Sequence, residues 1–199
     1  DASSAEGCNA LIAAESVIDI LVNNVDMFKV QPFFDIEDAD WLRMFETNVL
    51  SGIRLSRHYA PRMRERGWGR VIFISSESAL NIPKDMVHYG MTKTAQLAVS
   101  RGLAEEMASS AITVNAVLPG QTRSEGVETF LDQMAQQQGK TRAEIEAEFF
   151  RTTRPTSLIQ RFAEPQEVAN LVVYLASPAA SATTGAALRV DGGVISYIV

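Results

Sequence analysis

The chain is poor in the residues that build covalent or metal-held frameworks. It has one cysteine, Cys8, and two histidines, His58 and His88. A lone thiol cannot close an internal disulfide and fits a reducing compartment. Two imidazoles and one thiol argue against a structural zinc site, so no metal is expected. Basic residues are also short: Lys plus Arg number 18 against 24 Asp plus Glu, a net charge of -6. A chain of that sign lacks the electrostatic footprint of a nucleic-acid binder. No apolar run approaches the ~18 residues that a membrane helix needs. Neither nucleic acid nor membrane is therefore an expected partner, and the expected location is the cytoplasm. The sequence opens at Asp1 with no basic stretch leading into an apolar one, so no targeting segment is expected. Internal repeats, low-complexity segments and long linkers are absent.

What is present is an ordinary globular balance: 199 residues, 46% hydrophobic and 21% charged. That length suits one domain, residues 1–199, with a sizeable core. Ser3-Ser4-Ala5-Glu6 reads as a capping box opening a short helix. Val17–Val22 is brief, nearly all apolar and β-branched, as a strand buried on both faces would be. A long helix is expected from Asp35 or Asp38 to about Arg66, closed by Gly67-Trp68-Gly69. Val71–Ile74 is the next strand, a helix spans about Val87 to Met107, and Ile112–Leu118 is a third strand. Helices over about Gly126–Gln137 and Thr141–Arg151 follow. Pro165 opens one more that reaches Ala176, and Ala187–Val190 is a last strand. Strands alternating with helices predict an α/β fold with a mostly parallel sheet. In such sheets ligands sit outside the carboxyl ends of the strands. Those ends are Asn23-Asn24, Ser75-Ser76, Pro119-Gly120 and Asp191-Gly192-Gly193.

Chemistry gathers at the same places. Tyr89 and Lys93 are four apart on one predicted helix, so they share a face. A tyrosine with an ordinary pKa near ~10 is a poor acid–base group at neutral pH. An ammonium beside it favours the phenolate and makes it a better one. Ser76 ends an apolar strand, Asn48 sits mid-helix, Asn23-Asn24 follows the first strand and Pro119-Gly120-Gln121-Thr122 the third. Each also has a plain structural reading: Ser76 as a strand-end group, Asn48 as a kink residue, Asn23 as a turn cap. Their joint occurrence at these spacings is what points to function.

The chain resembles the short-chain dehydrogenase/reductase family, and within it the 3-oxoacyl-carrier-protein reductases. The resemblance is carried by Asn23-Asn24-Val25-Asp26, Asn48, Ser76, Tyr89, Lys93, Pro119-Gly120, Thr184-Gly185 and Val190-Asp191-Gly192-Gly193. It implies a Rossmann-like, doubly wound, three-layer α/β/α sheet with NAD or NADP as cofactor, interconverting a carbonyl and a secondary alcohol. It further implies Tyr89 as general acid or base and Ser76 as hydrogen-bond donor to the substrate oxygen. Lys93 would depress the Tyr89 pKa and bind the nicotinamide ribose, and Asn48 would hold a water linking Lys93 to solvent. Thr122 would contact the carboxamide with Ser124 nearby, Asn23 and Val25 would line the adenosine ribose, and Asp1 would reach the adenine. Asn24, Asp26, Pro119 and Gly120 would complete the cofactor wall. Residues 121–160 would form a helical insertion that covers a small carbonyl or alcohol substrate.

The sequence departs from the family pattern in three ways. It contains no Gly-rich phosphate turn, so a longer protein beginning before Asp1 is expected. Asp26 stands where the family has glycine, and is expected either to repel the cofactor phosphates or to strain its turn. Ser110 stands where carrier-protein reductases place a docking arginine, for which Arg62, Arg64, Arg66 and Arg70 are possible substitutes. Two alternatives to the thioester reductase stay open: a non-catalytic member with an impaired cofactor site, and an enzyme for a sugar, steroid or other small alcohol. Extra apolar stripes on the Asp38–Arg66 and Tyr89 helices, with the apolar end Val194–Val199, predict a homo-oligomer, a dimer or a tetramer built from dimers, with the C-terminus in an interface.

Overall fold

Val71 and Phe73 pack on one side of a parallel sheet and Ile72 on the other, the alternation that a strand imposes. A computed structural model describes residues 1–198. Four strands, β1 (Ile20–Asn23), β2 (Gly69–Ile74), β3 (Ile112–Pro119) and β4 (Ala187–Val190), run parallel in the order β1-β2-β3-β4. Register pairs Asn23 with Phe73, Ile74 with Val117 and Pro119 with Val190, so β1 and β2 end within one residue of each other and β3 and β4 run on to finish together.

One face carries α1 (Ala5–Ala14), α3 (Ser51–Arg66) and α4 (Val87–Glu106). Their Cys8, Leu55, Tyr59 and Met63 pack with Val71, Phe73, Val114 and Leu118 into the main core. The other face carries α7 (Pro165–Ala176), whose Leu175 closes over Ile72 and Val117. Helices thus cover both faces, as expected for a Rossmann-like α/β sheet. α5 (Glu125–Gln138) and α6 (Arg142–Thr152) share a core of their own around Leu131, Ile145, Phe150 and Phe162.

Several expectations change. The first strand starts at Ile20 rather than Val17, because Arg66 holds the carbonyl of Ile18 and the carboxylate of Asp19. β1 is an edge among the described residues, and Ile20 and Val22 are exposed rather than buried on both faces. Ser4, not Ser3, caps α1, accepting from the Gly7 N–H at 3.1 Å, and no capping box forms. The long helix is interrupted: α2 (Asp38–Phe45) passes through a π-helical turn, Glu46–Leu50, into α3. Gly67 then ends it in the left-handed conformation that glycine adopts freely. Arg70 is no member of a surface cluster: it is buried over the Trp68 ring and donates to the carbonyls of Gly69, Ala111 and Ser177. Val194 and Ile195 are buried within the chain, so the apolar end is only partly exposed, and Val199 lies outside the described residues.

Candidate active site

Buried strands cannot continue past Ile74 and Pro119 without exposing backbone, and polar residues take over there. Gly120 lies so close to Asp191 that a Cβ would stand 2.7 Å from its carbonyl oxygen, which lets the ends of β3 and β4 converge. Ser76 begins a short 3-10 turn, its Oγ accepting from the Ser78 N–H at 3.1 Å. That leaves the hydroxyl proton free to donate. Ser75 Oγ donates to the Lys93 carbonyl at 2.9 Å, tying α4 to the end of β2. Tyr89 and Lys93 consequently meet the strand ends on one face of α4. A cavity of about 450 Å³ lies there, lined by Asn24, Asp26, Ser76, Tyr89, Thr122 and Ser124, among others.

Asp26 occupies the middle of this group. Its Oδ1 lies 3.0 Å from Lys93 Nζ and its Oδ2 accepts from Tyr89 Oη at 3.4 Å. Lys93 is 1% exposed, and its ammonium also donates to the Ile74 carbonyl at 3.1 Å. Burial pulls the Lys93 ammonium below the ordinary lysine range, and the Asp26 carboxylate opposes that shift. Burial also pushes the Tyr89 phenol well above its ordinary value; Asp26 adds to the push and Ser76 opposes it. The expected effect of Lys93 is therefore overturned. The ammonium is spent on a carboxylate, and the carboxylate, not the ammonium, adds to the rise in the phenol's pKa. The strain expected at Asp26 is not found either: outside glycine, only Ser109 and Gln160 among the described residues have positive φ.

Asn48 is held on both sides by protein groups. It lies in the π-helical turn and is 1% exposed. Its Oδ1 accepts from the Met27 N–H and its Nδ2 donates to the Met27 carbonyl, both at 2.8 Å. The second Nδ2 proton goes to Thr92 Oγ1 at 3.1 Å, and Gln96 Nε2 donates to the Asn48 carbonyl at 2.6 Å. Both amide protons are used, so Asn48 bolts the loop that carries Asp26 to α4. Asn23 is buried and turned inward, donating to Ser56 Oγ at 3.2 Å. Asn23, Val25 and Asp1 do not line the cavity. Ser124 lines it while capping α5, accepting from the Val127 N–H, and Thr122 Oγ1 donates to the Gly120 carbonyl at 3.1 Å.

A second cavity, about 460 Å³, shares Ser76, Tyr89 and Phe28 with the first. Phe130, Phe149 and Phe162 form its aromatic wall, and Glu77 and Arg154 also line it. The sequence reading missed all five. A carboxylate directly after Ser76, at the end of a buried strand, was the available signal for Glu77. Phe130 and Phe149 carry none beyond helical periodicity, and Phe162, between α6 and α7, carries none.

The whole chain can now be set beside known proteins. Residues 1–195 match the family described as Enoyl-(Acyl carrier protein) reductase. The uncharacterized oxidoreductase YvaG of Bacillus subtilis is 49% identical over 198 residues, covering 100% of this chain and 75% of that protein. The 7alpha-hydroxysteroid dehydrogenase of Escherichia coli K12 is 33% identical over 91% of this chain and 65% of its own length. The crystal structure of L-sorbose reductase from Gluconobacter frateurii, complexed with NADPH and L-sorbose, superposes with a TM-score of 0.92 at 29% identity. It covers 100% of this chain and 76% of that one. A parallel sheet ending in the Ser76, Tyr89 and Lys93 arrangement, matched from end to end in sequence and fold, makes this chain a member of the short-chain dehydrogenase/reductase family of oxidoreductases.

Proposed function

We propose that the protein interconverts a ketone and a secondary alcohol with NAD or NADP, Tyr89 transferring the proton. The observation that carries this reading is the convergence of Ser76 and Tyr89 on one strand-end cavity, with the Lys93 ammonium one carboxylate away. The hydroxyls of Ser76, Thr122 and Ser124, the Asn24 amide and the Lys93 ammonium are a donor set suited to a ribosyl nicotinamide. Lys93, Asn24 and Thr122 would hold that half of the cofactor, and when bound it supplies or accepts the hydride. The NADPH complex of the sorbose reductase supports the cofactor class.

In reduction, Tyr89 Oη donates its proton to the carbonyl oxygen, and the Ser76 hydroxyl donates a hydrogen bond to the same oxygen as charge grows there. Burial, with Asp26 adding to it, keeps the phenol protonated through the neutral range, which suits Tyr89 to the acid's part. Lys93 reaches a ribose hydroxyl only as Asp26 shares or yields it, so Asp26 weakens cofactor binding by competition for the ammonium. α5 and α6, within residues 121–160, cover the substrate. A thioester on a carrier protein fits less well than a small ketone or alcohol, because Ser110 puts no cation in its turn.

A second reading, a non-catalytic binder, draws on the same Asp26–Lys93 pair. Titration of the full-length protein with NADH and NADPH, followed by turnover of a ketone panel, separates the two. Saturable binding with turnover is the expected result; binding of neither cofactor would overturn the oxidoreductase. We also infer assembly of like chains through α3 and α4, where Ile53, Val99, Leu103 and Met107 line an apolar groove. A monomeric mass by light scattering at micromolar concentration would refute it.

A further inference from the structure

The aromatic cavity contains a buried ion pair that the proton chemistry leaves unused. Glu77 follows Ser76 in the turn after β2 and is 1% exposed. Arg154, just beyond α6, donates from Nη2 to Glu77 Oε1 at 3.2 Å, and its side chain is 18% exposed. Gln121 Nε2 donates to the same oxygen at 2.9 Å, and the Ser78 hydroxyl does so at 3.4 Å. All three bonds fall on Oε1. Among the described residues, Glu77 Oε2 and Arg154 Nε are both buried without a hydrogen-bond partner. A buried polar atom left unpaired is costly, and more so on a charged group. Both residues line the cavity, so one acceptor and one donor stay unsatisfied in its wall.

The chemistry of the vacancy selects its occupant. A carboxylate would meet Glu77, and an ammonium would meet Arg154. A hydroxyl donates and accepts at once, so it suits either vacancy without adding charge. Around it the rings of Phe28, Phe130, Phe149 and Phe162 offer faces and edges to a hydrocarbon body. We propose that Glu77 and Arg154 form a hydroxyl subsite. The substrate is then a ketone or secondary alcohol with an apolar body and a second, uncharged hydroxyl away from the reacting carbon. The inference rests on the oxidoreductase reading for its substrate class, and on the cavity alone for its binding preference.

Three probes of similar length test it: γ-hydroxybutyrophenone, butyrophenone and β-benzoylpropionate. Their affinities for the full-length protein are read by ligand-observed NMR, and kcat/KM is read with reduced cofactor. The hydroxyketone is expected to exceed both others by about tenfold or more, the size of one buried polar group satisfied. In Arg154→Met and Glu77→Gln that preference is expected to fall to within about threefold. If Glu77→Gln fails to fold, Arg154→Met carries the comparison at a partly exposed position. Equal turnover of hydroxyketone and butyrophenone by the wild type would overturn the subsite and leave the oxidoreductase standing. Preferential binding with no turnover of any probe would support the subsite and count against the oxidoreductase. Tightest binding of the benzoylpropionate would overturn the subsite.

Discussion

Ser76, Tyr89 and Lys93 hang from elements locked into a sheet with cores on both faces. Phe130 and Phe149 belong to α5 and α6, which share a small core of their own, and Phe162 follows α6 and packs into that core. The two walls of the cleft differ in what fixes them. On the sheet side, side chains are held by main-chain partners: Ser76 by the Ser78 N–H, Asn48 by both backbone groups of Met27, Ser75 by the Lys93 carbonyl. On the helical side, the outer contacts are surface ion pairs such as Arg142 with Glu128 and Asp132, which contribute little individually. Ser76, Tyr89 and Lys93 thus sit on the wall tied down by main-chain partners, and Phe130, Phe149 and Phe162 on the wall whose outer contacts are surface ion pairs.

The largest effect should come from the rigid wall. Tyr89→Phe keeps the ring and removes the proton, so turnover should fall ~10²–10⁴-fold. Cofactor affinity should hold in a fluorescence titration. A variant retaining more than about a tenth of the rate would remove Tyr89 from the reaction.

Phe150→Ala strikes the other wall. Phe150 is 1% exposed, with its ring centroid 5.1 Å from that of Phe162. Its truncation should cost ~3–5 kcal/mol locally. Hydrogen exchange should quicken in α5 and α6 and stay slow in β2 and β3. Equal loss of protection in the sheet would erase the distinction between the walls.

Asp26→Asn sharpens the comparison from within the cleft. Without the carboxylate, the Lys93 ammonium faces Tyr89 alone, and the phenol should ionise at lower pH. The pH of half-maximal alcohol oxidation should therefore move down. Stability follows the same sign: a phenol whose pKa is raised by folding contributes stability below its ordinary value of about 10, lost as pH rises further. The Asn variant should lose less over that alkaline range. An unchanged or raised half-point would refute the role given to Asp26.

The smallest effect belongs to Glu167 on the first turn of α7. Its carboxyl is held down to about 2, first by Arg161 and then by the Glu164 N–H. Its contribution is present above the ordinary carboxylate value of about 4.3 and fades as pH falls toward the folded one. Glu167→Gln should barely move the melting temperature at neutral pH, and that difference should vanish in acid. A large loss at neutral pH would contradict its surface placement.

How far the sequence could be read depended on whether partners were local. The strands at Val71–Ile74 and Ile112–Leu118 were legible because burial on two faces leaves an apolar run. Tyr89 and Lys93 were legible because one helical turn fixes their relation. Asp26 was singled out as unusual, yet its contacts with Lys93 and Tyr89 were not legible, since both partners lie on α4, far along the chain. The tie of Asn48 to Met27 stayed hidden, because it is made to main-chain atoms that any residue would offer. Glu77 and Arg154 stayed hidden for the same reason as Asp26: 77 positions separate them, and only the fold joins them.

The π-helical turn at Glu46–Leu50 has a consequence for tolerance to insertion and deletion. A wide turn holds one residue more than an α-helical path, and each residue advances a helix by about 100°. The extra residue is taken up within the turn, so α3 keeps its phase on α2 despite it. Removing it would let the turn close as ordinary α-helix, leaving the Leu55–Tyr59–Met63 stripe on the sheet while shifting Asn48 off the Met27 backbone. A single-codon deletion here would therefore spare the core and disturb the active site, whereas one inside α3 would turn the stripe by about 100° and disturb the core as well.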